Sequence, residues 1–229
     1  MSGVEHDVTA LKRDAAERAV EFVRPGMVVG LGTGSTTRFA IEALGRKLES
    51  RELTDVVGIP TSTETRDLAR RLGLTLSTLE QHPVIDLTID GADEVDPAGN
   101  LIKGGGGALL WEKIVATASR KLVIVVDEGK LVERLGKTFA LPVEVVAFGW
   151  NTHEGALREL GAQPVLRCDP SGAAFRTDEG HYILDCRFPE GIVDPAMVSR
   201  TLVERPGVVE TGLFFGMEPE VIVGRSLEE

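Results

Sequence analysis

The segment IKGGGGALLWEK, Ile102–Lys113, holds the residues best suited to chemistry. Glu112 falls about a turn into a helical pattern, flanked by Leu109, Leu110, Trp111 and Ile114. A carboxylate beside apolar bulk tends to hold its proton more tightly, which suits a general base. The four consecutive glycines Gly104–Gly107 leave bare backbone that can form a concavity of N–H groups for an oxygen anion, with Lys103 at its edge. The plain alternatives are an exposed helical glutamate and a merely flexible loop. Four glycines abutting a helix is unusual enough to favour a working site.

GLGTGSTT, Gly30–Thr37, is a second cluster, lying between an apolar run and a helical pattern. Glycines let backbone approach a ligand closely, and a helix N-terminus offers free N–H groups and a positive dipole end. Thr33, Ser35, Thr36 and Thr37 add hydroxyls, and Gly34 adds bare backbone, so the segment reads as an anion or phosphate seat. It is not a dinucleotide fingerprint: the third glycine would fall at Ser35, and Pro60-Thr61 stand where a ribose-binding acid belongs. It also lacks the Gly-Lys-Ser/Thr of a P-loop. The plain alternative is a tight strand–helix turn capped by Ser35.

DGADEVD, Asp90–Asp96, directly follows the apolar run 84–89. Ligands of open parallel sheets bind beyond the carboxyl ends of strands. Acids packed there must be solvated, metal-bound or used. As a calcium loop the segment fails, because Ala92 occupies a ligand position; magnesium stays open, and a solvated turn is the plain alternative. Lys130, in DEGK after the run 122–126, can meet a phosphate or be an ordinary loop lysine.

The elements that must position these residues follow from periodicity. Residues 7–23 carry apolar positions at helical spacing, stopped by Pro25-Gly26. Strands are expected at 27–29, 55–59, 84–89 and 122–126, and helices at 35–48, 61–72 and 108–118. Thr61 and Glu64 form a capping-box pattern before the 61–72 helix. This alternation implies a Rossmann-like parallel sheet. After Lys130 the rhythm becomes strand 142–146, a helix capped by Asn151 and running to 160, strands 165–168, 173–176 and 182–186, a helix opened by Asp194-Pro195, and strand 207–210. That is close to β-α-β-β-α-β, a smaller ferredoxin-like α+β domain, with one strand to spare. The domains are therefore 1–134 with 212–229, and 135–211; segments 212–215 and 221–223 are expected to return to the first.

Composition narrows the class. The 229 residues carry 25 Lys+Arg against 36 Asp+Glu, a net charge of −11, which argues against nucleic acid as partner but not against a small anion. The polar N-terminus and the lack of an ~18-residue apolar run argue against a membrane. Two cysteines, Cys168 and Cys186, are too few for a disulfide scaffold and suggest buried, reduced thiols and a cytoplasmic setting. The histidines, His6, His82, His153 and His181, show no metal-ligand spacing.

Taken in order, GLGTGSTT, IPTS at 59–62, IDGADEVD at 89–96, KGGGGALLWEK, LPVEVVAFGW at 141–150 and PGVVETGLFFG at 206–216 resemble type A ribose-5-phosphate isomerases over nearly the whole chain. The resemblance implies interconversion of ribose 5-phosphate and ribulose 5-phosphate through an enediolate. It also implies no metal or organic cofactor, a small-molecule sugar phosphate as partner, and a homodimer or homotetramer. By the same resemblance the phosphate meets Thr33, Gly34, Ser35, Thr36 and Lys130. The sugar meets Asp90, Gly91, Ala92, Asp93, Lys103, Gly104, Gly105 and Gly106. Glu112 is the implied base; Lys103 and the glycine amides steady the oxyanion; Asp90, with Asp93, opens the ring and moves hydroxyl protons. Gly129 departs from the pattern, where a small hydroxyl residue is expected before Lys130. The competing readings are a sugar-phosphate isomerase-deaminase, a coenzyme A transferase on a related fold, and a non-catalytic sugar-phosphate sensor. No histidine falls in the glycine clusters to serve a deaminase, and a sensor has no need of Glu112.

Overall fold

The computed structural model describes residues 8–225. Residue 7 of the expected first helix, His6, and the ends of the first-domain assignment (1–7 and 226–229) lie outside the described residues. In chain order the elements begin α1 (Val8–Val20), β1 (Val28–Leu31), α2 (Ser35–Glu49), β2 (Val57–Pro60), α3 (Thr63–Arg71), β3 (Thr75–Leu76) and β4 (Leu87–Gly91). They continue through β5 (Glu94–Val95), β6 (Leu101–Ile102), α4 (Leu109–Thr117), β7 (Leu122–Val126), β8 (Leu141–Val145), α5 (His153–Glu159) and β9 (Gln163–Leu166). The last are β10 (Tyr182–Arg187), α6 (Pro195–Val203), β11 (Val208–Thr211), β12 (Leu213–Phe214) and β13 (Glu220–Val223).

The chain packs as two units. Among the described residues the first is 8–91, Ile114–Lys130 and 219–225; the second is Ala92–Lys113 and Leu131–Glu218. The division read from sequence differs from this over 92–113, 131–134 and 212–218, all of which that reading placed with the first domain; of the two segments expected to return there, 221–223 does and 212–215 does not. The difference has a local cause. Strands β5 and β6 are two residues each, too short to show a period, and they pair with β12 in a three-stranded sheet of the second unit.

The first unit is a six-stranded parallel sheet in the order β13-β7-β4-β1-β2-β3. All five residues of β7, LVIVV, are buried, as a central parallel strand requires. Against the sheet lie the small residues of α1, Ala15, Ala16 and Ala19, and Ile41, Ala43 and Leu44 of α2. Each fully buried side chain of Leu or Ile size contributes roughly 1.5–3 kcal/mol. From β1 the chain steps outward to β2 and β3; from β4 it steps the other way to β7 and β13. The topological switch therefore falls between β1 and β4, where such sheets bind ligands.

The second unit contains β8-α5-β9-β10-α6-β11, with sheet order β11-β8-β10-β9 and every pair antiparallel. This is the expected ferredoxin-like arrangement. The spare strand at 173–176 is reduced to a single bridge, Cys168 with Ala174. Its core is Leu141, Val143, Val145, Leu157, Leu184, Cys186, Val198 and Leu202. Cys186 is buried, and burial pushes its thiol up; Cys168 is exposed just past β9, which corrects the expectation that both are buried.

Two helix starts differ from the sequence reading. Ser62, not Thr61, caps α3, its side chain accepting from the Thr65 N–H; Thr61 is buried and bonded to the Leu31 carbonyl. Thr152, not Asn151, precedes α5, because Asn151 lies inside a single 3-10 turn, Trp150–Thr152. Asp194 caps α6 as expected, with Pro195 in the first turn.

At the start of α5, His153 is buried and its Nδ1 accepts from Arg205 Nε at 3.0 Å. Burial, and then the Arg205 charge, push its imidazole below the ordinary value of 6.5. The unfolded chain therefore binds this proton more readily, so stability is full above about pH 6.5 and falls as the pH drops below it. Thermal unfolding between pH 7.5 and 5.5 should show a shallower loss in His153→Gln, by up to about 1.4 kcal/mol per pH unit.

Candidate active site

In the first unit, β1 and β4 lie side by side, so the segments after them meet. The Gly32 N–H donates to the Ile89 carbonyl at 2.9 Å. A Cβ on Gly32 would stand 2.2 Å from Asp90 Oδ1, so only glycine lets the turn pass this carboxylate. Asp90 is buried, and its Oδ1 accepts from the N–H groups of Gly91 (2.8 Å) and Thr33 (3.2 Å). Asp90 is thus fixed to the turn and is no solvated loop acid.

Gly34, which has no side chain to cap with, is the N-cap of α2, so the helix opens on backbone N–H groups rather than on a Ser35 cap. Gly34 and Ser35 are exposed and Thr36 is half-buried. The Thr33 and Thr37 hydroxyls, read from sequence as donors, are engaged within the fold. Thr33 Oγ1 lies 2.8 Å from both Thr61 Oγ1 and Ser62 Oγ and 3.1 Å from Thr65 Oγ1; Thr37 Oγ1 donates to the Gly34 carbonyl. These bonds fasten the turn to the start of α3.

Lys12 is a residue the sequence reading missed. Its Nζ donates to Ser35 Oγ at 3.0 Å. A cleft of about 760 Å³ opens here, lined by Gly34, Ser35, Lys12, Arg13 and Arg71, by Arg38 paired with Glu42, and by Glu64 among others. Lys12 beside an open helix N-terminus is an arrangement that suits an anion. On the sequence Lys12 is one lysine in an amphipathic helix, and only its fold neighbour reveals it. Lys130 ends a single 3-10 turn, Glu128–Lys130, after β7.

In the second unit, Lys103 and Glu112 form an ion pair, Nζ to Oε1 at 3.2 Å, with side chains 3% and 5% exposed. Desolvating two charges is costly, and their mutual attraction offsets it only when they stay together. Lys103 is held on its backbone by the Gly212 carbonyl, 2.9 Å from its N–H. Phe214 of β12 presents its ring to Lys103 Nζ at 5.6 Å and to Lys113 Nζ at 4.8 Å. Lys113 turns away to Glu210 Oε1 (2.8 Å), and burial pulls its ammonium below the usual lysine range.

The glycine run is a turn rather than a loose loop. The Gly107 N–H returns to the Gly104 carbonyl at 2.9 Å, and Gly104 has φ 105°, a region that L side chains avoid. Gly105 and Gly106 are exposed. Asp93 Oδ2 accepts the Gly105 N–H at 2.8 Å. Two of the other acids of DGADEVD have structural partners. Glu94 is buried and accepts from the N–H groups of Gly136, Thr138 and Phe139; Asp96 closes its own loop through Ala98 and Asn100. Among the described residues no three of His, Cys, Asp and Glu are grouped to hold a metal ion.

Comparison with known proteins identifies the family. Residues 57–228 match the family model of ribose 5-phosphate isomerase A (phosphoriboisomerase A). The chain is 55% identical over 219 residues to a ribose-5-phosphate isomerase A of Gloeobacter violaceus, covering 95% of this chain and 93% of the relative. It is 54% identical over 215 residues to that of Desulfatibacillum aliphaticivorans, covering 93% of each. A solved structure of D-ribose-5-phosphate isomerase in complex with phospho-erythronic acid superposes with TM-score 0.92 at 41% identity, over 95% of each chain. On this evidence the chain belongs to the ribose 5-phosphate isomerase A family.

Proposed function

We propose that the chain interconverts D-ribose 5-phosphate and D-ribulose 5-phosphate, with Glu112 as the base. The observation that carries this is the buried Lys103–Glu112 pair beside the Gly104–Gly107 turn. Isomerisation moves one proton between neighbouring carbons, and its barrier lies in removing a proton next to a carbonyl. Glu112 takes the proton from C2 of the open aldose and returns it to C1. As the C–H bond breaks, charge gathers on the carbonyl oxygen; Lys103 and the Gly104 and Gly106 amides steady it, while the Gly105 N–H is committed to Asp93 Oδ2. Asp90 and Asp93 open the ring and move hydroxyl protons; each keeps one carboxylate oxygen on backbone N–H groups. Gly91, Ala92 and Gly104 line the sugar.

The phosphate takes no part in bond breaking. Gly34, Ser35, Thr36 and Lys130, with Lys12 beside Ser35, grip it and use its binding energy for orientation; Thr33, whose N–H is on Asp90 and whose hydroxyl is on Thr61, Ser62 and Thr65, holds the turn rather than the phosphate. The same proposal includes a homodimer or homotetramer, and a cytoplasmic setting supported by the two free cysteines.

The direct test is conversion of ribose 5-phosphate by the purified chain, with and without a chelator. Turnover should be unchanged by EDTA. A rate abolished by EDTA and restored by magnesium would make DGADEVD a metal site and overturn the metal-free reading.

A further inference from the structure

Four glycines have no side chains with which to choose a conformation, yet the reaction needs the Gly106 N–H aimed one way, with the Gly105 N–H kept on Asp93. We propose that Arg167 is the positioning residue that selects this conformation; the inference rests on the reading above, in which the Gly106 amide receives the oxyanion.

Arg167 stands just past β9 and is itself locked. Its N–H donates to the Ile183 carbonyl at 2.8 Å, and its carbonyl accepts from the Phe175 N–H at 2.9 Å. Its side chain, 13% exposed, meets Asp185 with two prongs, Nε to Oδ2 at 2.9 Å and Nη2 to Oδ1 at 2.5 Å. A guanidinium is a rigid planar fork, so this pair fixes where the third nitrogen points. Nη1 donates to the carbonyls of Gly104 (2.9 Å) and Gly105 (3.1 Å).

Those two carbonyls decide the amides. Across a trans peptide the C=O of one residue and the N–H of the next point in opposite directions. With the Gly104 carbonyl on Arg167, the Gly105 N–H must point away from it, and it is found on Asp93 Oδ2 at 2.8 Å. With the Gly105 carbonyl also on Arg167, the Gly106 N–H points away as well. The turn closes from Gly107 to Gly104, so its central peptide is the one between Gly105 and Gly106. Type I and type II turns differ by a flip of that central peptide, and glycine permits both. The Nη1 bond to the Gly105 carbonyl holds one of the two. Arg167 thus acts through the turn, without touching the substrate.

The test uses Arg167→Lys, which keeps the charge and loses the fork, Arg167→Met, and Asp185→Asn, which leaves the arginine unanchored. A misaimed amide should lower kcat by roughly 10- to 100-fold. KM for ribose 5-phosphate should change little, because the phosphate grip is untouched. Binding of phospho-erythronic acid, whose carboxylate offers anionic oxygens to the same amide, should weaken in proportion to kcat/KM. Amide resonances of Gly105 and Gly106 in glycine-labelled protein should shift or double. A merely structural arginine would lower the melting temperature and leave kcat and those resonances alone. If Arg167→Met does not fold, the other two variants decide. Near-wild-type kcat in the folded variants, with Glu112→Gln inactive, overturns the positioning role and leaves the site reading standing. Full activity in Glu112→Gln overturns the site reading itself.

Discussion

Glu112→Gln should turn over ribose 5-phosphate about 10²–10⁴-fold more slowly, with KM near that of the unaltered chain. A positioned base contributes a factor of this size, and an amide cannot accept the proton. The substitution is close to isosteric, and its amide oxygen can still receive the Lys103 ammonium from 3.2 Å. Helix α4 depends on Leu109 and Val115 in the core rather than on this carboxylate. Circular dichroism should therefore be unchanged, and the loss should fall on kcat. Steady-state kinetics from the aldose side checks both parts; a variant within a few-fold of full turnover would remove Glu112 from the mechanism.

Lys103→Met should lose turnover by about 10²–10³-fold, the range for deleting one donor to a developing oxyanion. It should also be much less stable, because Glu112 is left buried without its ammonium, a situation that costs about 3–5 kcal/mol. The two effects separate in the double variant. Lys103→Met with Glu112→Gln removes both charges, so its melting temperature should recover most of the drop while its activity stays lost. A double variant no more stable than Lys103→Met would mean that the ion pair does not hold this region together. Thermal melts and rates on the same three preparations make the comparison.

Much of the first unit was legible because its elements are long and regular. The LVIVV run of β7 and the apolar period of α2 have one reading each, and the strand–helix alternation gives the parallel sheet. The ferredoxin-like order of the second unit also follows from its pattern. Residues 92–113 were harder, because two-residue strands carry no period and the partner of β6, Leu213–Phe214, lies over a hundred residues away in sequence. The site shows the same split. Glu112, Lys103, Asp90 and the glycines stand out by type and spacing. Lys12 and Arg167 do not, since the role proposed for each rests on a neighbour that only folding supplies: Ser35 for one, Asp185 and the Gly104–Gly105 carbonyls for the other. Thr33 shows the converse, a residue of suggestive type whose hydroxyl the fold uses for itself.

The pairing of β13 with β7 has a consequence for biosynthesis. As the ribosome extends the chain, β7 emerges and then the whole of 131–218 before its parallel neighbour at 220–223 exists. Throughout that interval the most apolar strand of the protein has one flank without a partner, the kind of edge on which nascent chains stick to one another. The enclosed unit can reach its native form first, and the sheet that surrounds it in sequence is sealed last.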